Sequence, residues 1–136
     1  MTLVDTGPLV ALIVSREAAH ERCVEALRSV DLPLLTTWPA FGEAMHLTGS
    51  RGGWTAQRAL WRLVHEGDLE IVEQPARAIK RIANLMERYA DRPMDLADAT
   101  LVTLAEELRI KRIFTLDSDF DVYRIHGRSR FELLPA

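Results

Sequence analysis

Thr2-Leu3-Val4-Asp5-Thr6-Gly7-Pro8 opens the chain as a short apolar strand that turns at once into the apolar helix Leu9 to Val14. Gly7 and Pro8 suit a tight strand-to-helix turn, because Pro is tolerated in the first helical turn, where its missing N–H leaves no bond unmade. The same alternation repeats outward from this unit. Glu17 to Val30 carries Ala19, Cys23, Ala26, Leu27 and Val30 at helical spacing, and Leu32 to Thr36 reads as a second strand. Thr37-Trp38-Pro39 starts another helix by its cap and proline signals, with Phe41, Ala44, Met45 and Thr48 on the core stripe. Gly49-Ser50-Arg51-Gly52-Gly53 is expected as a loop before the helix Trp54 to His65. There follow a strand Leu69 to Val72, a covering helix Ala76 to Tyr89, a helix Leu96 to Leu108, a strand Arg112 to Leu116 and a last short strand Phe131 to Leu134. Strands alternating with helices over short connections predict one domain spanning 1–136, a three-layer α/β/α fold with a mostly parallel central sheet.

Composition bounds what such a domain can do. With 136 residues and 48% hydrophobic content it can bury its own core. The formal net charge of −3 provides no global basic field, so a nucleic-acid site has to rest on a local arginine cluster and be sensitive to salt. The single cysteine, Cys23, excludes an internal disulfide and a thiolate metal cage and suits a reducing compartment. The longest apolar run, Pro8 to Val14, is too short to span a bilayer and has no basic segment ahead of it. Neither signal peptide nor membrane anchor is expected, and the expected location is cytoplasmic.

Four acids recur at the ends of these elements. Asp5 closes the first strand, where a parallel sheet gathers ligands, although an Asx turn would also place an acid there. Glu43 lies one turn into its helix. In Asp95-Leu96-Ala97-Asp98-Ala99, Asp98 shares the apolar face of Leu101, Val102 and Ala105 and so points toward the core. The alternative is a capping box, with Asp95 as N-cap and Asp98 at the third helical position. Asp117 begins the run Asp117-Ser118-Asp119-Phe120-Asp121 at the end of a strand. None of the four has a Lys or Arg within two residues, and like charges brought to one rim push pKa values up or demand a cation. Magnesium or manganese is the natural counterion, since these hard cations prefer oxygen ligands. No histidine or cysteine cluster offers zinc a site. Glu43 and His46 form the Glu-x-x-His unit that di-iron bundles use twice, but no second copy exists. Positive charge gathers at Arg51, Arg58 and Arg62 and at the tail residues Arg124, Arg128 and Arg130. These are the candidate polyanion surface, unless they merely solvate a helix face.

In order and spacing, Val4-Asp5-Thr6, Glu43 on the helix begun by Thr37-Trp38-Pro39, Asp95-Leu96-Ala97-Asp98-Ala99, and Phe114-Thr115-Leu116-Asp117-Ser118-Asp119-Phe120 resemble the four acidic motifs of PIN-domain ribonucleases. The likeness covers nearly the whole chain, whose length is similar to that of the VapC-type toxins of toxin–antitoxin pairs. The resemblance implies a PIN-like fold and a metal-dependent endoribonuclease acting on RNA, held silent by a small antitoxin and homodimeric. It assigns the acidic quartet to Asp5, Glu43, Asp98 and Asp117, and Thr115 matches the hydroxyl residue of the last motif. Asp5 and Asp98 would be the inner metal ligands, with Glu43 and Asp117 acting through water or orienting the nucleophile. Asp95 and Asp119 are accessory candidates, at positions where the family varies. The other class of reading is a non-catalytic PIN-like module that binds RNA or a protein. A haloacid-dehalogenase-like phosphatase is rejected, because Gly7 stands where its second Asp belongs.

Overall fold

The computed structural model describes all residues, Met1–Ala136. In chain order the elements are β1 (Thr2–Val4), α1 (Thr6–Ile13), α2 (His20–Leu27), β2 (Leu34–Thr36), α3 (Trp38–His65), β3 (Leu69–Ile71), α4 (Ala78–Arg88), α5 (Leu96–Leu108) and β4 (Arg112–Phe114). A 3-10 turn (Ser118–Asp121), β5 (Arg124–Ile125), β6 (Ser129–Arg130) and β7 (Glu132–Leu134) complete the chain. Five strands form one sheet in the order β3-β2-β1-β4-β7. Every neighbouring pair in it is parallel, so the sheet is wholly rather than mostly parallel. The chain leaves β1 toward β2 on one side and returns to β4 on the other, which makes the carboxyl ends of β1 and β4 the topological switch point where open sheets bind ligands.

Alternation along the short strands assigns the layers. Leu3, Leu35 and Ile113 join one buried core with Leu85 of α4 and Leu101, Leu104 and Ala105 of α5. Their strand neighbours Val4, Leu34 and Phe114 join the opposite core with Leu9 and Val10 of α1, Cys23 of α2 and Phe41 and Leu60 of α3. Successive side chains point to opposite faces of a strand, so three residues per strand feed both cores and give the α/β/α sandwich.

α3 is a helical hairpin rather than a rod. Phe41 and Trp61 meet with ring centroids 5.0 Å apart, although twenty residues of straight helix would separate them by about 30 Å. Gln57 also donates to the Met45 carbonyl at 3.2 Å. The reversal is made at Gly53, whose φ of 65° and ψ of −162° lie outside the helical range and are open essentially to glycine alone. The loop expected over Gly49 to Gly53 is therefore corrected: residues 49–52 stay helical and one glycine turns the chain.

Two more boundaries differ. The helix expected from Glu17 to Val30 is cut to α2, because Glu17 and its neighbours form turns capped by the Val14 carbonyl. The small antiparallel hairpin of β5 and β6 was not expected; it turns through His126 and Gly127, at φ 53° and 69°, and His-Gly is not one of the dipeptides that announce such turns. It is tied to the helices by Glu106 of α5, which accepts two hydrogen bonds of 2.8 Å from Arg81 and one of 2.6 Å from the His126 N–H. No helix is long and apolar enough to cross a membrane.

Candidate metal centre

The acids at the switch point are placed by backbone ends. Asp5 follows β1 and caps α1, its Oδ1 accepting the Thr6 N–H at 2.7 Å. Its Oδ2 accepts the Thr115 hydroxyl at 2.8 Å, and the Thr115 oxygen in turn accepts the Asp117 N–H at 3.0 Å. Thr115 thus joins the ends of β1 and β4 and holds two of the carboxylates in register. Asp117 caps the 3-10 turn, with Oδ1 accepting the Asp119 N–H at 2.9 Å.

Asp98 combines the two readings its sequence allowed. Its N–H donates to Asp95 Oδ1 at 2.8 Å, so Asp95 is the N-cap of α5. The reciprocal half of a capping box is absent: the buried Asp98 carboxylate takes the Tyr123 hydroxyl on Oδ2 at 2.9 Å. A hydrogen bond of 2.8 Å between the Thr37 and Thr100 hydroxyls locks the start of α3 against this helix.

One carboxylate oxygen each from Asp5, Asp98 and Asp117 lies within 4.8 Å of the other two. Glu43 is not in that cluster; it is exposed on the first arm of α3, on the wall of the same cleft. The cleft, of about 610 Å³, is also lined by Asp95. Asp119 turns away to pair with Arg92 at 3.2 Å. The α3 arginines expected to hold a polyanion line two different clefts. Arg51 lines the acidic cleft and pairs with Glu17. Arg58 and Arg62 line a separate groove with Trp54, Trp61 and His65, where the Arg58 guanidinium lies 5.8 Å from the Trp54 ring centre. In the tail, Arg124 is spent on the carbonyls of Asp121, Val122 and Tyr123 at 2.8 to 3.1 Å, whereas Arg128 and Arg130 are exposed.

None of the five ion pairs of the protein reaches Asp5, Glu43, Asp98 or Asp117. Burial first, then the charges of Asp5 and Asp95, push the Asp98 carboxyl up to about 8, against the pull of the Tyr123 hydroxyl. Burial raises Asp5 to about 6, with the hydrogen bonds from Thr6 and Thr115 opposing it and Asp117 and Asp95 adding to it. Glu43 is raised as well, by partial burial and then by Asp95. Burial is the larger cause in all three, and the neighbouring like charges add to it.

The PIN domain family model matches residues 2–125. The chain belongs to the PIN domain family. Among the relatives of this PIN domain is Ribonuclease VapC26 of Mycobacterium tuberculosis, 30% identical over 134 residues, or 98% of this chain and 99% of the relative. Among solved structures, VapC20 of Mycobacterium tuberculosis, described as a Sarcin-Ricin loop cleaving toxin, superimposes with a TM-score of 0.83 at 20% identity, covering 90% of this chain and 94% of that one. At that identity the likeness shows the fold. The donor set of the PIN cleft fits a divalent, oxygen-preferring cation: the clustered donors are carboxylates, and neither histidine nor cysteine lines the cleft. Tyr123, Thr6 and Arg92 were missed at the sequence level. Tyr123 is 25 residues from the acid it touches, and no periodicity connects the two.

Proposed function

We propose that this PIN domain is a metal-dependent endoribonuclease that hydrolyses RNA phosphodiester bonds, and that it is the toxin of a type II toxin–antitoxin pair. The observation that carries the reading is the convergence of three carboxylates, uncompensated by any cation of the chain, at the switch point. An inert binding module has no use for that electrostatic burden. The name of the relative that is 30% identical, a ribonuclease, points the same way.

Asp5 and Asp98 are proposed as the inner ligands of magnesium or manganese, and Asp117 as a third ligand held through water or directly. The cation supplies Lewis acidity, acidifying water and offsetting charge on the phosphate. The rest is work for the side chains. Asp5 is fixed at both oxygens, by Thr6 and Thr115, so it can bind without reorganising. Glu43, which lines the cleft with its carboxyl raised, is the proposed acceptor of the proton that the attacking water gives up. Asp95 and Asp119 are read as structural, through the α5 cap and the Arg92 pair. Arg58 and Arg62 are proposed to hold RNA phosphates beside the Trp54 ring, with Arg51 held back by Glu17. A small antitoxin and a homodimeric assembly complete the proposal.

Expression of the chain alone should arrest growth, and co-expression of the small protein encoded beside it should relieve the arrest and copurify. Asp5→Asn should abolish the arrest while circular dichroism shows the variant folded. Toxicity that survives Asp5→Asn would assign it to something other than this site.

A further inference from the structure

Tyr123 is buried to 0% exposure, and its hydroxyl is the one side-chain donor to the Asp98 carboxylate, at 2.9 Å on Oδ2. The ring has no freedom to turn away. Tyr89 and Phe120 pack edge-on against it with centroids 5.0 and 5.1 Å distant, and Phe131 backs Phe120 at 5.5 Å. Its N–H donates to the Asp119 carbonyl at 3.1 Å, and its own carbonyl accepts from Arg124 at 3.1 Å. Three residues on, the His126 N–H is anchored on Glu106, itself gripped by Arg81. Residues 117–123 therefore start at one carboxylate of the centre and end at the hydroxyl that orients another.

A buried tyrosine needs some partner for its hydroxyl, and a backbone carbonyl would serve. This one is aimed instead at a carboxylate that contributes an oxygen to the cluster with Asp5 and Asp117. We propose that Tyr123 is a positioning residue of the metal centre: by engaging Oδ2 it fixes the orientation of the Asp98 carboxylate, and so biases the site toward a small octahedral cation. This rests on the metal-dependent reading above. The physical reason lies in coordination preference. Magnesium and manganese suit single carboxylate oxygens in octahedral array, whereas calcium accepts more ligands and bidentate carboxylates. A carboxylate fixed in one orientation by the phenol suits the strict geometry of the smaller cations, whereas one free to turn suits the variable coordination of calcium.

The test is calorimetric titration of the chelator-stripped full chain with manganese and, separately, with calcium, in the parent, Tyr123→Phe and Tyr89→Phe. Tyr89→Phe deletes a hydroxyl from the ring packed on Tyr123, one that makes no bond to a carboxylate, and so controls for packing. Partners behind a ligand are typically worth on the order of 10–100-fold in metal affinity. Tyr123→Phe should weaken manganese binding at least about tenfold while calcium binding holds or tightens, so that the manganese-over-calcium preference collapses; Tyr89→Phe should match the parent. Melting in chelator checks that all three are folded. A Tyr123→Phe protein with the parent's preference, or one that loses both cations equally, would overturn the proposal. A parent that binds neither cation would overturn the metal-dependent reading itself and the role of Tyr123 with it, an outcome distinct from the first two.

Discussion

Replacing Asp98 by Asn should make the metal-free protein more stable, by an amount that depends on pH in a defined way. Asn is nearly isosteric, its carbonyl can still accept the Tyr123 hydroxyl, and the backbone bond from residue 98 to Asp95 is untouched. What disappears is the cost of ionising a buried carboxyl among like charges. That carboxyl stands at about 8 in the folded chain, against 3.8 for an unperturbed aspartate. The folded state therefore holds its proton where the unfolded state has lost it. The parent has its full stability below about pH 4, loses it progressively as pH climbs to about 8, and loses no more above that. At pH 7 the ceiling on this loss is on the order of 4 kcal/mol, and coupling to Asp5 lowers what one substitution recovers. At half the ceiling, roughly 2 kcal/mol, Asp98→Asn melts about 8 °C above the parent. The difference should close near pH 4 and widen up to pH 8. Manganese at ten times its dissociation constant should return roughly 1.4 kcal/mol to the parent and little to the variant. The assay is differential scanning fluorimetry or calorimetry in chelator and in manganese, across pH 4 to 9 at fixed ionic strength, so that screening is not read as binding. A variant whose advantage is the same at pH 4 and pH 8, or a parent indifferent to manganese, refutes the shared-site electrostatics.

The same shifts govern metal binding: with Asp5 at about 6 and Asp98 at about 8, manganese affinity measured by titration should rise steeply between pH 5 and 8 and level off beyond, as the ligands shed protons. Reversing Arg58 and Arg62 together to Glu should weaken RNA binding and flatten its salt dependence, by about 0.7–0.9 in the log–log slope for each phosphate no longer neutralised; an unchanged slope would reduce these residues to helix solvation. Gly53→Ala places a Cβ on a backbone at φ 65° and ψ −162° and should lower stability by about 1–3 kcal/mol in urea unfolding. A neutral result there would mean that the two arms of α3 reach their packing without that turn.

From the sequence alone, the layered α/β class, the parallel sheet and the acids that stand at element ends could be read. Those features are local or periodic: alternation in Leu3-Val4 and Ile113-Phe114, the Asp95 cap, the Thr37-Trp38-Pro39 start, and acids placed where strands end. The reversal at Gly53 was legible only as a broader glycine-rich break, because composition marks a turn but not which residue makes it. Tertiary structure alone decided which acids meet. Asp5 and Asp117 are brought together by strand order and Asp98 by the docking of α5, whereas Glu43 lines the same cleft outside that cluster and Asp119 pairs with Arg92. It also separated Arg51 from Arg58 and Arg62, residues on two antiparallel arms that face different clefts. The bond from Tyr123 to Asp98 has no sequence signature, since it depends on how a hairpin and a helix dock through the Glu106 anchor. Docking is set by the shape of packed side chains, and no pattern of spacing along one chain records it.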